Sequence, residues 1–123
     1  MRESDDGRAP EHPDPAGVPL QQVLDALVDP ARRSIVRQMC DADDARAADI
    51  SCGGFDLAVS KSTATHHFRV LREAGLIRQY YVGTSRKNAL RRAEFGTAFP
   101  GLLDAVVDAE RRARPECTPG RAG

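Results

Sequence analysis

A chain of 123 residues with 41% apolar side chains, 5% aromatics and no Trp is long enough for one domain and one modest core built mostly of Leu, Val, Ile and Ala. No stretch resembles a secretory signal or the uninterrupted apolar run of about 18 residues that a membrane span needs, so a soluble, cytoplasmic protein is expected. Formal net charge is zero, but it is unevenly spread. Residues 1–19 carry two basic and five acidic side chains (−3), 20–59 four and seven (−3), 60–92 eight and one (+7), and 93–123 four and five (−1). Positive charge concentrated in one quarter of a chain is the footprint expected for phosphate contact.

Residues 1–19 hold Pro10, Pro13, Pro15 and Pro19, several acids and almost no bulky apolar side chains. That composition predicts a disordered N-terminal tail, because little burial offsets the entropy of ordering. From Leu20 the apolar set Leu20, Val23, Leu24, Leu27 and Val28 falls at i, i+3, i+4, i+7 and i+8, the stripe of an amphipathic helix. Asp29-Pro30 then reads as a stop and restart, since Asp can cap and Pro suits a first helical position. A second helix from Ala31 should bury Ile35, Val36 and Met39, with Cys40 at its end as a small apolar residue. Arg32, Arg33 and Arg37 read as its solvated face, with phosphate contact as the alternative.

Asp41 to Val59 has weak periodicity and a Gly53-Gly54 pair. A short helix near Arg46 to Ile50 is expected there, with Phe55, Leu57 and Val59 plugging the core. Ser60 to Gly75 is the sharpest element. Ser60 is a good N-cap and Gly75 a good left-handed terminator, and at about 100° per residue Ala64, His67, Phe68 and Leu71 share one side of the helix. Ser62, Thr65, His66 and Arg69 form the other, a strip of hydrogen-bonding groups suited to the edges of DNA bases. Two short β-prone runs follow, with Gly83 in the turn between them, and with Arg78, Arg86, Lys87, Arg91 and Arg92 on or beside the hairpin. The last helix repeats an apolar stripe in Leu102, Leu103, Val106 and Val107, and residues 114–123 read as a flexible tail.

The capped helix, "LREAGLI", the hairpin and the earlier "ALVDPARRSIV" together resemble the winged helix-turn-helix of the arsenical-resistance-repressor (ArsR/SmtB) family of bacterial transcription regulators, over roughly Leu20 to Val107. The resemblance implies a mainly α winged helix-turn-helix domain over residues 20–113 with a two-stranded wing, dimerising through its terminal helices. It implies a homodimeric repressor that binds double-stranded DNA at an imperfect inverted repeat. Expected DNA contacts are Lys61, Ser62, Thr63, Thr65, His66 and Arg69 on the recognition helix and Arg78, Arg86 and Lys87 on the wing. Expected dimer contacts are Leu20, Val23, Leu24, Leu102, Leu103, Val106 and Val107.

Metal and enzyme readings are weaker. Cys40, Cys52 and Cys117 contain no close pair, so reduced thiols are expected rather than a disulfide framework. Adjacent His66 and His67 point about 100° apart on a helix and cannot chelate one ion alone. His67 is assigned to packing. The family's Cys-x-Cys and acid-and-histidine sets are absent, which leaves a transition-metal effector held between subunits, drawing on Asp104, Asp108 or His12, as an alternative. A winged helix that binds only protein is the other, and the +7 segment argues against it. No phosphate loop, nucleophile elbow or carboxylate pair beside a His points to catalysis.

Overall fold

Local capping sets the helical frame. In the computed structural model, which describes residues 11–113, α1 spans Leu20–Leu27 and α2 spans Pro30–Asp44. The Asp29 carboxylate accepts the Ala31 N–H at 2.7 Å, with Pro30 in the first turn, so the restart signal works as its residue types require. Helix α3, Lys61–Glu73, starts where Ser60 Oγ accepts the Thr63 N–H at 3.2 Å. It ends in a Schellman motif: Leu76 N–H reaches Leu71 O at 3.1 Å and Gly75 N–H reaches Arg72 O at 3.0 Å, with Gly75 at φ +82°.

Strands β2 (Ile77–Val82) and β3 (Ser85–Leu90) form a hairpin around a two-residue loop, with Val82 opposite Ser85 and Gly83 at φ +60°. Strand β1 (Ile50–Ser51) adds to the far side of β3, Ile50 opposite Asn88, giving an antiparallel sheet of order β1-β3-β2. Helices α4 (Arg92–Ala98) and α5 (Leu102–Arg112) close the domain, with Gly101 at φ +81° between them. The core gathers Val23, Leu27, Ile35, Val36, Met39, Cys40, Phe68, Leu71, Leu76, Ile77, Phe95, Leu103 and Val107. Cys40 is fully enclosed, and burial pushes its thiol up to about 11, as expected for a structural rather than reactive cysteine.

Four expectations differ from this fold, and a fifth concerns residues outside it. Residues 1–10 and 114–123, both assigned to tails, lie outside the described residues. Residues 11–19 are a packed strap rather than a tail: Pro15 and Val18 are buried, and Pro15 sits so close to Gly75 that a Cβ there would meet it at 3.2 Å. The helix expected near Arg46 to Ile50 does not form. Arg46 has φ 57°, after which the chain is extended into β1 and then makes one 3-10 turn, Cys52–Gly54. No α-helix lies between α2 and α3. Val23, Leu103 and Val107, named for a dimer surface, are 0%, 4% and 2% exposed in the chain's own core, because the apolar stripes of α1 and α5 are wide enough to face two ways. Finally, β1 makes the sheet three-stranded.

Candidate nucleic-acid interface

The outer side of α3 and the wing together present most of the basic residues that the fold leaves without an ion pair, Arg46 and Arg112 being two others among the described residues. On α3, Lys61, Ser62, Thr63, Thr65, His66 and Arg69 are all exposed, while His67, Phe68 and Leu71 are buried. The Phe68 ring meets Phe55 at 5.2 Å between centroids, and Phe55 and Leu57 pack against the core as expected, whereas Val59, named with them, is 37% exposed. Thr63 is partly spent on the cap, since Ser60 Oγ donates to its hydroxyl at 3.0 Å. Thr65 Oγ1 donates to Lys61 O at 3.0 Å, and Arg69 Nη2 lies 3.3 Å from His66 Nδ1.

His67 is structural. Arg32 Nη1 donates to its Nδ1 at 3.1 Å, which requires an unprotonated nitrogen there. Burial first, then the Arg32 and His66 charges, hold its pKa below the usual value against an opposing pull from Asp29. Arg32 also donates to Ala26 O at 2.7 Å and Asp25 O at 3.2 Å, and Arg33 to Leu27 O and Val28 O at 2.9 Å each. Both satisfy carbonyls at the α1 C-terminus, where a cation is favoured. Arg33 also pairs with Glu110 at 3.0 Å, and Arg37 with Asp41 at 2.7 Å. Arg32 and Arg33 thus tie helices together and Arg37 pairs within α2, instead of the three forming a solvated face.

Of the eight cations in residues 60–92, three are likewise engaged. Arg72 donates to Gln79 Oε1 at 2.8 Å, Arg91 donates to Pro13 O at 2.6 Å and pairs with Glu94, and Arg92 pairs with Asp43 and Asp44. Among the described residues Lys61, Arg69, Arg78, Arg86 and Lys87 make no ion pair. All five lie on α3 or the hairpin. Two are stacked: Arg78 lies 5.1 Å from the Tyr80 ring centroid and Arg86 5.6 Å from that of Tyr81, a contact that orders a guanidinium without consuming its donors. Tyr80 also donates its hydroxyl to Asp49, anchoring the hairpin to the segment before β1.

Beneath the wing lies a polar cluster that periodicity alone could not show. Gln79 and Asn88 face each other across the hairpin, 2% and 1% exposed, with Gln79 Nε2 donating to Asn88 Oδ1 at 2.9 Å. Half-buried Cys52 receives longer contacts from both, and the Gln79 N–H donates to His12 Nε2 at 2.9 Å. Burial, then Arg72, Arg91, Arg78 and Arg86, lower the His12 pKa, consistent with an imidazole kept neutral to accept. Among the described residues no group of three or more His, Cys, Asp or Glu side chains is placed to hold a metal ion, and no helix is long and apolar enough to cross a membrane.

A capped helix behind a short turn, exposing a hydrogen-bonding face beside a basic hairpin, defines a winged helix-turn-helix DNA-binding protein. The sequence profile described as "Bacterial regulatory protein, arsR family" matches residues 29–79, the span from the Asp29 cap to the buried Gln79. The chain is also 33% identical over 87 residues to an uncharacterized HTH-type transcriptional regulator, YceK, of Bacillus subtilis (strain 168), an alignment covering 69% of this chain and 83% of that protein. The chain belongs to the arsR family of bacterial regulatory proteins. It is accordingly a DNA-binding transcription regulator and not an enzyme.

Proposed function

We propose that the protein is a homodimeric repressor that acts in the cytoplasm by occupying an imperfect inverted-repeat operator, with α3 in the major groove and the wing on the adjacent backbone or minor groove. The observation that carries this reading is the clustering on α3 and the hairpin of five cations without ion pairs, Lys61, Arg69, Arg78, Arg86 and Lys87, against two elsewhere, Arg46 and Arg112, that have neither an ion pair nor a side-chain hydrogen bond among the described residues. Ser62, Thr65 and His66 lie along the same exposed helix and offer donors and acceptors at base-edge spacing. Homodimerisation is supported by apolar surface that the chain itself does not cover: Leu20, Leu24 and Val28 of α1 are 53%, 45% and 71% exposed, and Leu102 and Val106 of α5 are half-buried. A two-fold axis through that surface would set two recognition helices one DNA turn apart or a multiple of it, hence the inverted repeat. Repression would follow from occupancy of the operator alone.

The test is a salt titration of DNA affinity. Arg86→Ala with Lys87→Ala should weaken binding to all DNA and lower the salt slope by roughly one per lost phosphate contact. Alanine at Ser62, Thr65 or His66 should instead reduce discrimination between operator and random DNA by about 1 to 3 kcal/mol per base contact. An unchanged slope in the first experiment, or equal losses on both DNAs in the second, would move the reading face elsewhere.

A further inference from the structure

The wing leaves the body of the domain at one rung. Beyond the Gln79–Asn88 pair the hairpin continues as Tyr80–Lys87, Tyr81–Arg86 and Val82–Ser85, toward the exposed turn at Gly83 and Thr84. Gln79 and Asn88 are therefore the last fully buried pair, the fulcrum from which the basic tip projects. An apolar pair would fill that position with no polar group to satisfy. Instead there are two carboxamides, whose bonds run outward in two directions, and the Gln79 backbone adds a third. Gln79 Oε1 accepts from Arg72 in the last turn of α3 at 2.8 Å, Asn88 Nδ2 donates to Ile50 O of β1 at 3.0 Å, and the Gln79 backbone N–H donates to His12 of the strap at 2.9 Å. Arg72 Nε is buried without a partner among the described residues, so the carboxamide bonds carry the order here: moving either side chain would leave further polar groups unpaired in low dielectric.

We propose that Gln79 is the positioning residue that sets the wing against the recognition helix, so that Arg86 and Lys87 reach DNA in the same docking event as the outer face of α3. The proposal rests on the reading of α3 and the wing as the DNA-contacting pair. Gln79 itself touches no DNA; it acts through Arg72 on one side and Asn88 on the other. Arg72, counted by sequence among the basic residues of this region, belongs to the clamp and leaves its phosphate role to its neighbours.

The experiment measures the salt dependence of binding to a short random-sequence DNA duplex, using the full chain and five variants: Gln79→Leu, Arg72→Met, the wing pair Arg86→Ala/Lys87→Ala, and each clamp variant combined with the wing pair. Leucine and methionine keep the volume and apolar stems while removing the bond between helix and wing. The wing pair should lower the slope by roughly two. Gln79→Leu should lower it by a similar amount with every surface cation still in place, and adding the wing pair should take it no further. A residue that only stabilised the fold would lower the thermal transition and leave the slope at its wild-type value, and additive losses would mark contacts independent of the wing pair, so either result overturns the positioning role. If Gln79→Leu does not fold, as judged by its thermal transition, Arg72→Met decides alone, because it cuts the helix-to-wing bond and leaves the Gln79–Asn88 pair intact. Wild-type slopes in both clamp variants, alongside a reduced slope in the wing pair, would overturn the role of Gln79 and leave the reading of the interface standing. A wing pair with an unchanged slope would overturn the interface reading, and the proposal with it.

Discussion

Gln38, in the middle of α2, clasps the backbone of Asp56 from both sides: its carboxamide NH2 donates to Asp56 O at 3.0 Å and its oxygen accepts the Asp56 N–H at 2.9 Å. The same NH2 reaches Ser34 Oγ at 3.0 Å, which holds the side chain in place along its own helix. This clasp does for the segment ahead of the recognition helix what a regular helix would do through its own ladder. With only a 3-10 turn at Cys52–Gly54, the angle at which α3 leaves the body depends on Gln38 and on the Phe55–Phe68 contact.

Gln38→Ala should therefore lower stability by about 1 kcal/mol, the ordinary worth of a neutral hydrogen bond near the surface. For a domain of this size that corresponds to a fall of about 4 to 8 °C in melting temperature. Specific DNA affinity should fall as well, because the start of α3 is then less well placed. A variant with unchanged melting and unchanged affinity would mean that Phe55 alone holds the segment.

How much of this could be read in advance follows from how local the signals are. Asp29-Pro30, Ser60, Gly75 and Gly83 each act within four residues, and the elements they bound fall where the sequence places them. The strap over residues 11–19 could not be seen that way. It is held by His12 on Gln79, Arg91 on Pro13 O and Pro15 against Gly75, contacts that span 60 to 78 residues. Strand β1 is two residues long and exists only through its pairing with β3. Within the candidate interface the outer face of α3 was legible from period alone, whereas Arg91 and Arg92 looked like wing cations until their carboxylate and carbonyl partners were placed. Gln79 and Asn88 were missed although a signal existed. A two-residue turn with Val82 opposite Ser85 forces Gln79 opposite Asn88, and two facing carboxamides deserved notice.

Two histidines give stability an acid limit. His12 and His67 each accept a hydrogen bond on a ring nitrogen, from Gln79 N–H and from Arg32, and burial lowers the pKa of both. A group whose folded pKa lies below its unfolded value of about 6.5 leaves the unfolded chain binding more protons, so stability falls as pH drops below that value. Above about 6.5 their contribution is fully present; it is lost progressively toward the two folded-state pKa values. The slope for each histidine stays below about 1.4 kcal/mol per pH unit, the limit set by a full proton's difference between folded and unfolded chains. His12→Gln keeps an acceptor for the Gln79 N–H but cannot titrate, so urea unfolding from pH 7 to 5 should show a shallower loss in that variant. A slope identical to wild type would place the acid sensitivity elsewhere.

The last prediction separates the two sides of the terminal helices. Arg33 of α2 bonds Leu27 O and Val28 O at the end of α1 and Glu110 of α5, so the exposed end of α1 and the outer side of α5 lie on either side of one side chain. Leu20, Leu24 and Val28 on α1 and Leu102 and Val106 on α5 are apolar side chains that are exposed or half-buried, and each one left in water forgoes up to about 1.5 to 3 kcal/mol of burial. Leu103 and Val107 point the other way, 4% and 2% exposed among their own core neighbours. Placing Glu at Leu24 and Val106 should consequently give a folded monomer by light scattering, with a melting temperature near that of wild type extrapolated to low concentration and with operator affinity lost, although no residue of α3 or the wing has changed. Glu at Leu103 should act differently. An unpaired carboxylate in the core destabilises the domain itself by several kcal/mol, so that variant should lose its folding transition at any protein concentration. If the Leu24 and Val106 variant remains a dimer and still binds its operator, the two-fold contact lies on another face, and the exposed stripe of α1 has a different partner.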